Sequence, residues 1–239
     1  MKILSIGNSF SVDAQAYLKG VCDAQGVDIY CANLPIGGCP LVRHYNNMKR
    51  DLADYRLDIN GVETDRRISI KEALLMEEWD VVTLQEASAR SCELSHFEPY
   101  IYELGAYVRE LCPKAKIALH ETWGYGKNNL HTIKNLGFFS PEEMFDKVRE
   151  NYITVAERLG ADIFIPSGDV LKRLFLEGYN IHHDGQHASR GIGRYAIALT
   201  WLRVLFGVEV TGNSFRDFEI FVSREEIEAA WAAVDAIEI

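Results

Sequence analysis

Short apolar runs alternate with longer amphipathic segments along most of this chain. The β-prone runs predict five strands, which occupy residues 2–6, 27–32, 79–84, 116–119 and 163–165. Segments with helical spacing predict helices, which occupy residues 12–25, 70–77, 97–111, 141–159, 170–176 and 188–205, with a last helix after Ser223. Because strands and helices alternate, we expect a three-layer α/β fold with a parallel, doubly wound sheet.

Turn and capping signals refine this outline. Residues 55–70 alternate around Asn60-Gly61, a dipeptide typical of tight hairpin turns, so we expect a small β-hairpin inserted into the parallel sheet. Ser69 and Ser223 each begin a capping box with a glutamate three residues later. Polar or Gly/Pro-rich loops are expected over residues 33–40 and 121–139.

Composition excludes several classes of function. The chain has 239 residues, of which 48% are hydrophobic, so one domain over residues 1–239 with a sizeable core is expected. A formal net charge of −10 argues against partners such as nucleic acid or anionic membrane surfaces. No apolar run reaches 18 residues, so no membrane span is expected either. Oligomeric state stays open.

The five cysteines are scattered and lack C-x-x-C spacing, which is typical of idle thiols in a reducing compartment. The first residues show no signal-peptide pattern. We therefore expect a cytoplasmic protein, with trimming of a secreted precursor as the open alternative.

Polar residues follow several of the predicted strands. In an open parallel sheet the working site lies beyond the carboxyl ends of the strands, near the reversal of strand order. Ser9, the Gly37-Gly38 turn and Gln85 lie at such ends, as does the loop after residue 119. We expect these elements to converge.

Three of the polar residues have the chemistry of an activated serine. A serine hydroxyl is a poor nucleophile without an adjacent base, and His187 would take the proton of Ser9. Asp184, three residues before His187, would orient the imidazole. The simpler alternatives are a helix cap for Ser9, a turn residue for Asp184 and a polar helix start for His187.

Acyl transfer also needs donors aimed at the developing oxyanion. The candidates are the backbone amide of Ser9, a glycine amide of the Gly37-Gly38 turn and the side-chain amide of Gln85. Each has a plain structural alternative, since the glycines suit a turn and Gln85 would also satisfy local backbone groups. Asn8 is expected to tie the loop that carries Ser9.

Four segments occur in an informative order, and they occupy residues 7–10, 33–38, 84–88 and 184–187. Gly-Asn-Ser-Phe is the first and Asp-Gly-Gln-His is the last. The order resembles that of the SGNH (GDSL-type) hydrolases, whose four blocks carry Ser, Gly, Asn and His. The chain departs from that pattern at Asn8, Phe10 and Gln85, and Gln85 brings it closer to the carbohydrate O-acetylesterase-like branch.

The resemblance implies a flavodoxin-like sheet and hydrolysis of an ester, often an O-acetyl group on a sugar. It also implies that Gly38 supplies the second backbone donor of the oxyanion hole. The substrate would then be a small-molecule or carbohydrate ester, and no cofactor would be required.

Two aromatic residues of the loop after residue 119 are candidates for substrate binding. Trp123 and Tyr125 would stack on a sugar or wall an acyl pocket, or else serve only as packing residues. The lone histidines His44 and His120 are expected to be structural.

Two rival functions stay open at this point. A metal-dependent hydrolase would use His183, Asp184 and His187, although Gly185 weakens the helical spacing of the two histidines and we expect no metal site. A non-catalytic carbohydrate-binding protein on the same scaffold is the second rival, since Asn8 and Gln85 depart from the hydrolase pattern.

Overall fold

Within residues 1–237, which this computed structural model describes, seven strands form one mixed sheet. Their order across the sheet is β4-β3-β2-β1-β5-β6-β7. The strands are β1 (Lys2–Gly7), β2 (Tyr30–Pro35), β3 (Tyr55–Ile59), β4 (Val62–Ile68), β5 (Val81–Leu84), β6 (Lys116–His120) and β7 (Ile163–Ile165). Five adjacent strands are parallel to one another, namely β2, β1, β5, β6 and β7. The antiparallel strands β3 and β4 extend the sheet beyond β2.

Ten α-helices accompany the sheet in the described part of the chain. They are α1 (Ser9–Gln15), α2 (Leu18–Ala24), α3 (Leu41–Lys49), α4 (Ile70–Met76), α5 (Tyr100–Leu111), α6 (Leu130–Asn135), α7 (Pro141–Leu159), α8 (Ser167–Leu176), α9 (Ile192–Phe206) and α10 (Arg224–Asp235). Strand order reverses at β1, so right-handed crossovers place the helices before and after this point on opposite faces. The predicted α/β, flavodoxin-like fold is thereby confirmed.

The hairpin and the helix starts follow their local signals. Asn60 and Gly61 form the turn between β3 and β4 with φ of 50° and 79°, the left-handed pair that a tight hairpin turn requires. The side chains of Ser69 and Ser223 each accept from the backbone amide of the third helical residue. That residue is a glutamate, and its carboxylate accepts from the backbone amide of the serine. These predictions are confirmed.

Several predicted boundaries are wrong. Residues 12–25 form two helices, α1 and α2, rather than one. The second strand begins at Tyr30 and runs to Pro35, three residues into the predicted loop. Pairing with β1 explains the shift, because Asn33 lies opposite Ser5 and its buried side chain accepts from the Ser11 hydroxyl.

Two further helices were not predicted. Helix α3 follows the Gly/Pro loop, and α6 lies inside the segment expected to be a loop. Both helices are short and rich in Asn, His and Arg or Lys, and the apolar face of α3 has only a few residues, such as Leu41 and Met48. Tertiary packing decides these helices, since α3 contacts α4 and α5, and α6 contacts α7.

Helix α9 follows the loop that carries His187 and anchors this loop to the core. Every residue from Tyr195 to Leu202 is buried, and the helix packs against α1, α2, α8, α10 and β7. A helix that is apolar on all sides needs such complete cover. Among residues 1–237 no helix combines the length and the apolar character that crossing a membrane requires.

Gly7 ends β1 where the chain turns toward Ser9. A Cβ at Gly7 would lie 2.5 Å from Ser11 Oγ and 2.7 Å from Ser11 Cβ, well inside van der Waals contact. The missing side chain therefore allows α1 to begin directly against the strand.

We predict that Gly7→Ala lowers the free energy of unfolding by about 2 kcal/mol, because the added methyl group overpacks the start of α1. Urea unfolding measures this change. Gly37→Ala is the matched control, since a Cβ there meets no atom within 4 Å. Equal stability of Gly7→Ala and the wild type would refute the close-packing argument.

Candidate active site

The tip of β1 meets the loop that precedes α9. Asn8 caps α1 by accepting from the Phe10 amide at 3.0 Å, and this turn presents the partly exposed Ser9. Ser9 Oγ lies 2.9 Å from His187 Nε2, although 178 residues separate them in sequence. The first two members of the predicted triad therefore lie within proton-transfer distance.

Asp184 completes the arrangement from within its own loop. Its Oδ2 lies 2.7 Å from His187 Nδ1, and its Oδ1 accepts from the backbone amides of Gln186 and His187 at 2.9 and 2.8 Å. Partial burial alone would raise the pKa of Asp184, but the bonds from the His187 imidazole and the two amides lower it below its ordinary value. An ionised Asp184 holds the proton on Nδ1, which leaves Nε2 free to accept from Ser9.

The loop around His187 is braced from two sides. The Ala188 amide donates to Asp13 Oδ2 on α1 at 2.9 Å, and Arg194 Nε donates to the other oxygen of Asp13 at 2.9 Å. From the opposite side, Trp123 Nε1 donates to the Gln186 carbonyl at 2.9 Å. These bonds fix the distance between the helix that carries Ser9 and the loop that carries His187. The sequence analysis missed Asp13, because an acidic residue inside a helix gave no local signal.

Trp123 and Tyr125 are buried, with 0% and 4% of their surface exposed. The Trp123 ring stacks on Phe10 at 4.1 Å with nearly parallel planes, and the Tyr125 hydroxyl accepts from the Ser88 hydroxyl at 2.9 Å. Neither ring is open to a ligand, so the substrate-binding prediction is corrected to the packing alternative. The physical reason is burial of this part of the loop, where Trp123 stacks on Phe10 and Tyr125 bonds to Ser88.

Two backbone donors near Ser9 are available. Within residues 1–237, neither the Ser9 amide nor the Gly38 amide has an intramolecular acceptor. Gly38 is exposed and has a φ of 61°, a conformation that glycine adopts without strain. The Asn8 side chain donates to the Cys39 carbonyl at 3.2 Å and so ties this glycine turn to the turn that carries Ser9.

Gln85 belongs to a buried chain of hydrogen bonds. Its Oε1 lies 2.9 Å from His120 Nδ1, and His120 Nε2 lies 3.0 Å from the Ser167 hydroxyl. Because a carbonyl oxygen only accepts, His120 Nδ1 carries the proton, and burial lowers the pKa of this imidazole to about 3, which keeps it neutral. The Gln85 NH₂ group therefore points away from His120, and it donates to Asn8 Oδ1 at 3.0 Å. One hydrogen of that group remains for another acceptor.

A cavity of about 500 Å³ opens beside Ser9. Its lining includes Ser9, Ile36 and Gly37. The charged part of its lining consists of Arg43, Asp54, Arg56, Glu63 and Arg67. The hairpin thus supplies a wall of the site, a role that the sequence analysis did not assign to it.

The metal-hydrolase alternative gains no geometric support. His183 is exposed, and its backbone amide donates to the His187 carbonyl at 2.8 Å. Nowhere in residues 1–237 do three His, Cys, Asp or Glu side chains form a group suited to a metal ion.

A family model described as a domain of unknown function, DUF4886, matches residues 2–236. The chain belongs to the DUF4886 family. A DUF4886 family protein from Bacteroides uniformis ATCC 8492 is 31% identical, with a TM-score of 0.90 over 98% of this chain and 93% of that one. Curated proteins give no significant match.

More distant solved structures share the fold. A protein of Slackia heliotrinireducens, described as a candidate SGNH hydrolase, has a TM-score of 0.61 at 20% identity, over 86% of this chain and 98% of that one. A family 3 carbohydrate esterase of Clostridium thermocellum has a TM-score of 0.54 at 14% identity, over 87% and 96% of the two chains. This DUF4886 chain therefore has the SGNH hydrolase fold, and the resemblance stated from its sequence is confirmed as far as the fold is concerned.

Glu86 is a buried carboxylate beside the site that the sequence analysis did not single out. Its Oε1 accepts from the Leu41 amide at 2.9 Å and from the Ala87 amide at 2.6 Å, so it joins the end of β5 to the first residue of α3. The glycine turn lies just before α3. Burial raises the pKa of Glu86 from its ordinary 4.5 to about 7, although both amides and the nearby Arg90 oppose the rise.

We predict that Glu86→Gln is more favourable to stability at pH 8 than at pH 5, relative to the wild type. Above pH 4.5 the unfolded chain loses the Glu86 proton while the folded protein still holds it, so stability falls as the pH rises toward 7. Glutamine removes this dependence and keeps an oxygen for the two amides. The difference between the two pH values is about 3 kcal/mol, which urea unfolding at each pH measures.

Glu110→Gln, at an exposed position on α5, is the matched control and should show no such difference between pH 5 and pH 8. The same relative stability of Glu86→Gln at both pH values would show that Glu86 is ionised throughout this range.

Proposed function

We propose that this protein is a serine hydrolase that cleaves carboxylic esters, specifically O-acetyl groups on a carbohydrate, through a covalent acyl-enzyme. The observation that carries the proposal is the unbroken chain from Ser9 Oγ through the His187 imidazole to the Asp184 carboxylate, with distances of 2.9 and 2.7 Å. Its position on an SGNH hydrolase fold, at the carboxyl edge of the sheet, supports the same function.

The first half-reaction follows from this geometry. Ser9 Oγ attacks the acyl carbonyl while His187 Nε2 takes the hydroxyl proton, and Asp184 stabilises the imidazolium that forms. The imidazolium then protonates the leaving alcohol as the tetrahedral intermediate collapses. In the second half-reaction a water molecule enters in place of the alcohol, and the same groups hydrolyse the acyl-enzyme.

The negative charge of the tetrahedral oxygen needs donors that are already in place. The free amides of Ser9 and Gly38 supply two of them in this proposal. The second hydrogen of the Gln85 NH₂ group supplies the third, and His120 positions this group by holding the carbonyl oxygen of Gln85. A longer glutamine arm thus takes the place of the asparagine that the family resemblance leads one to expect.

The lining of the cavity favours a polar alcohol over a lipid. The lining includes arginine and carboxylate side chains from α3, from the hairpin and from the residue before it. Such groups bind hydroxyl groups and charges, whereas a long alkyl chain would leave them without partners. The carbohydrate esterase among the structures of similar fold supports the choice of a sugar.

We predict that Ser9→Ala lowers kcat/KM for 4-nitrophenyl acetate by at least about 1,000-fold, because no other group can form the acyl-enzyme. The wild type should also lose activity as the acyl chain lengthens from acetate to octanoate. A fluorophosphonate probe should label the wild type and not Ser9→Ala, since labelling requires an activated hydroxyl.

Ser95→Ala, which removes an exposed hydroxyl outside the site, should keep both activity and labelling. Undiminished turnover by Ser9→Ala would eliminate the proposed nucleophile. A wild type that neither turns over the ester nor reacts with the probe would instead favour a non-catalytic binding protein.

We predict that Asp184→Asn lowers kcat by about 10,000-fold with little change in unfolding temperature. The asparagine oxygen can still accept from the two backbone amides, so its NH₂ group faces His187 Nδ1. The imidazole must then carry its proton on Nε2, where it cannot accept from Ser9. Steady-state kinetics and thermal unfolding are the measurements.

Asp217→Asn, an exposed substitution far along the chain, controls for the loss of one negative charge. Retention of most of the wild-type kcat by Asp184→Asn would mean that the carboxylate does not set the tautomer of His187.

A further inference from the structure

The charged wall of the Ser9 cavity is built around two arginines that lie side by side. In the antiparallel pair of β3 and β4, Arg56 and Arg67 are direct partners, so their side chains project from the same face of the hairpin. Arg43 of α3 joins them at the cavity. Like charges directly opposite each other cost stability in a sheet, so this arrangement is not explained by the fold alone.

One of the three arginines is already neutralised. Arg56 Nε and Nη2 donate to the two oxygens of the buried Asp58 at 2.7 and 2.8 Å, and Arg56 Nη1 donates to Glu63 at 2.9 Å. This guanidinium is locked in place, and most of its donors are used. Because two carboxylates pair with one guanidinium, this group has a net charge of −1, and Arg56 shapes the wall without offering positive charge to a ligand.

The other two arginines keep donors for a ligand. Arg43 Nη2 lies 3.9 Å from Asp54 Oδ2, which is beyond hydrogen-bond distance, and about half of each side chain is exposed. Arg67 Nη1 donates only to the backbone carbonyl of Asp54 at 3.2 Å. Among residues 1–237 no carboxylate oxygen lies within 4 Å of a nitrogen of the Arg67 guanidinium.

We propose that Arg43 and Arg67 bind an anionic group, a carboxylate or a sulfate, on the alcohol part of the ester. The proposal rests on the esterase function above and adds the charge of its substrate. Guanidinium groups bind planar or tetrahedral oxyanions through paired N–H donors, and two of them with open donors face one cavity here. Open N–H donors rather than a net positive charge carry this recognition, because the three arginines at the cavity are matched by three nearby carboxylates.

The anion belongs to the alcohol because of the expected size of the acyl group. An acetyl group has no room for a second charged function, whereas the cavity of about 500 Å³ exceeds what an acetyl group fills. A sugar that carries a carboxylate or a sulfate would place its ester oxygen near Ser9 and its charge at Arg43 and Arg67. An O-acetylated acidic sugar is thus the substrate class that fits.

The test compares two aryl acetates that differ in charge, 4-acetoxybenzoate and 4-acetoxybenzamide. Each kcat/KM is divided by the rate of hydroxide hydrolysis of the same ester, which removes the intrinsic difference in reactivity. We expect the wild type to favour the benzoate about tenfold, and Arg43→Gln and Arg67→Gln each to lower this ratio about tenfold. The preference should also weaken as salt concentration rises.

Arg66→Gln is the matched control, because Arg66 is adjacent in sequence, is not among the residues that line the cavity and contacts Met76 Sδ at 3.8 Å through its guanidinium. It removes the same charge from the same strand and should leave the ratio unchanged. A third ester, 4-acetoxyphenyl sulfate, distinguishes the two anions: the group that the site binds better gives the larger loss in Arg67→Gln.

The failures of the two proposals are distinguishable. Equal normalised rates for both esters in the wild type, with no effect of Arg67→Gln on the ratio, would overturn the anion site and leave the esterase standing. A ratio that falls equally in Arg66→Gln and Arg67→Gln would also overturn it, because only the general charge would then matter. Hydrolysis of neither ester, without probe labelling of Ser9, would remove both proposals.

Discussion

The contact between Ser9 Oγ and His187 Nε2 is the constraint on which the site depends, because it joins the first strand to a loop 178 residues later. Neither residue has a chemical role alone, since the hydroxyl needs a base and the imidazole needs an oriented acceptor. The distance is not left to two flexible side chains. Asp13 on α1 accepts from the backbone of the His187 loop, and Trp123 holds that loop from the other side while stacking on Phe10.

The polar groups around this contact are of two kinds, side chains that bond to one another and backbone amides that keep open donors. At the carboxyl edge of the sheet, buried side chains such as Asn8, Gln85 and His120 satisfy one another. The backbone amides of Ser9 and Gly38 keep open donors within the described chain. Groups that are fixed before the substrate arrives need no reorganisation when charge develops, which is the requirement for electrostatic stabilisation of a transition state. The hairpin then adds charged side chains to the lining of the cavity that contains Ser9.

Local rules explain why some of this was readable from the sequence and some was not. The turn at Asn60-Gly61 and the capping boxes at Ser69 and Ser223 depend on residues close in sequence, so they were predicted correctly. The start of β2, the helix α3 and the break between α1 and α2 depend on packing, and they were missed. Trp123 was misjudged for the same reason: a loop position suggested exposure, but the contact with Phe10 buries the ring.

The sequence alone determined the alternation of strands and helices, the hairpin and the order of the segments that carry Ser9, Gly38, Gln85 and His187. These features follow from hydrophobic periodicity, from the backbone angles that particular residues allow and from a resemblance of motifs. Only the tertiary structure decided that Ser9 and His187 meet, that His120 orients Gln85 and that Arg43 and Arg67 share a cavity with Ser9. Each of these depends on contacts between segments far apart in the chain, whose relative positions are set by burial of the core and the register of the sheet.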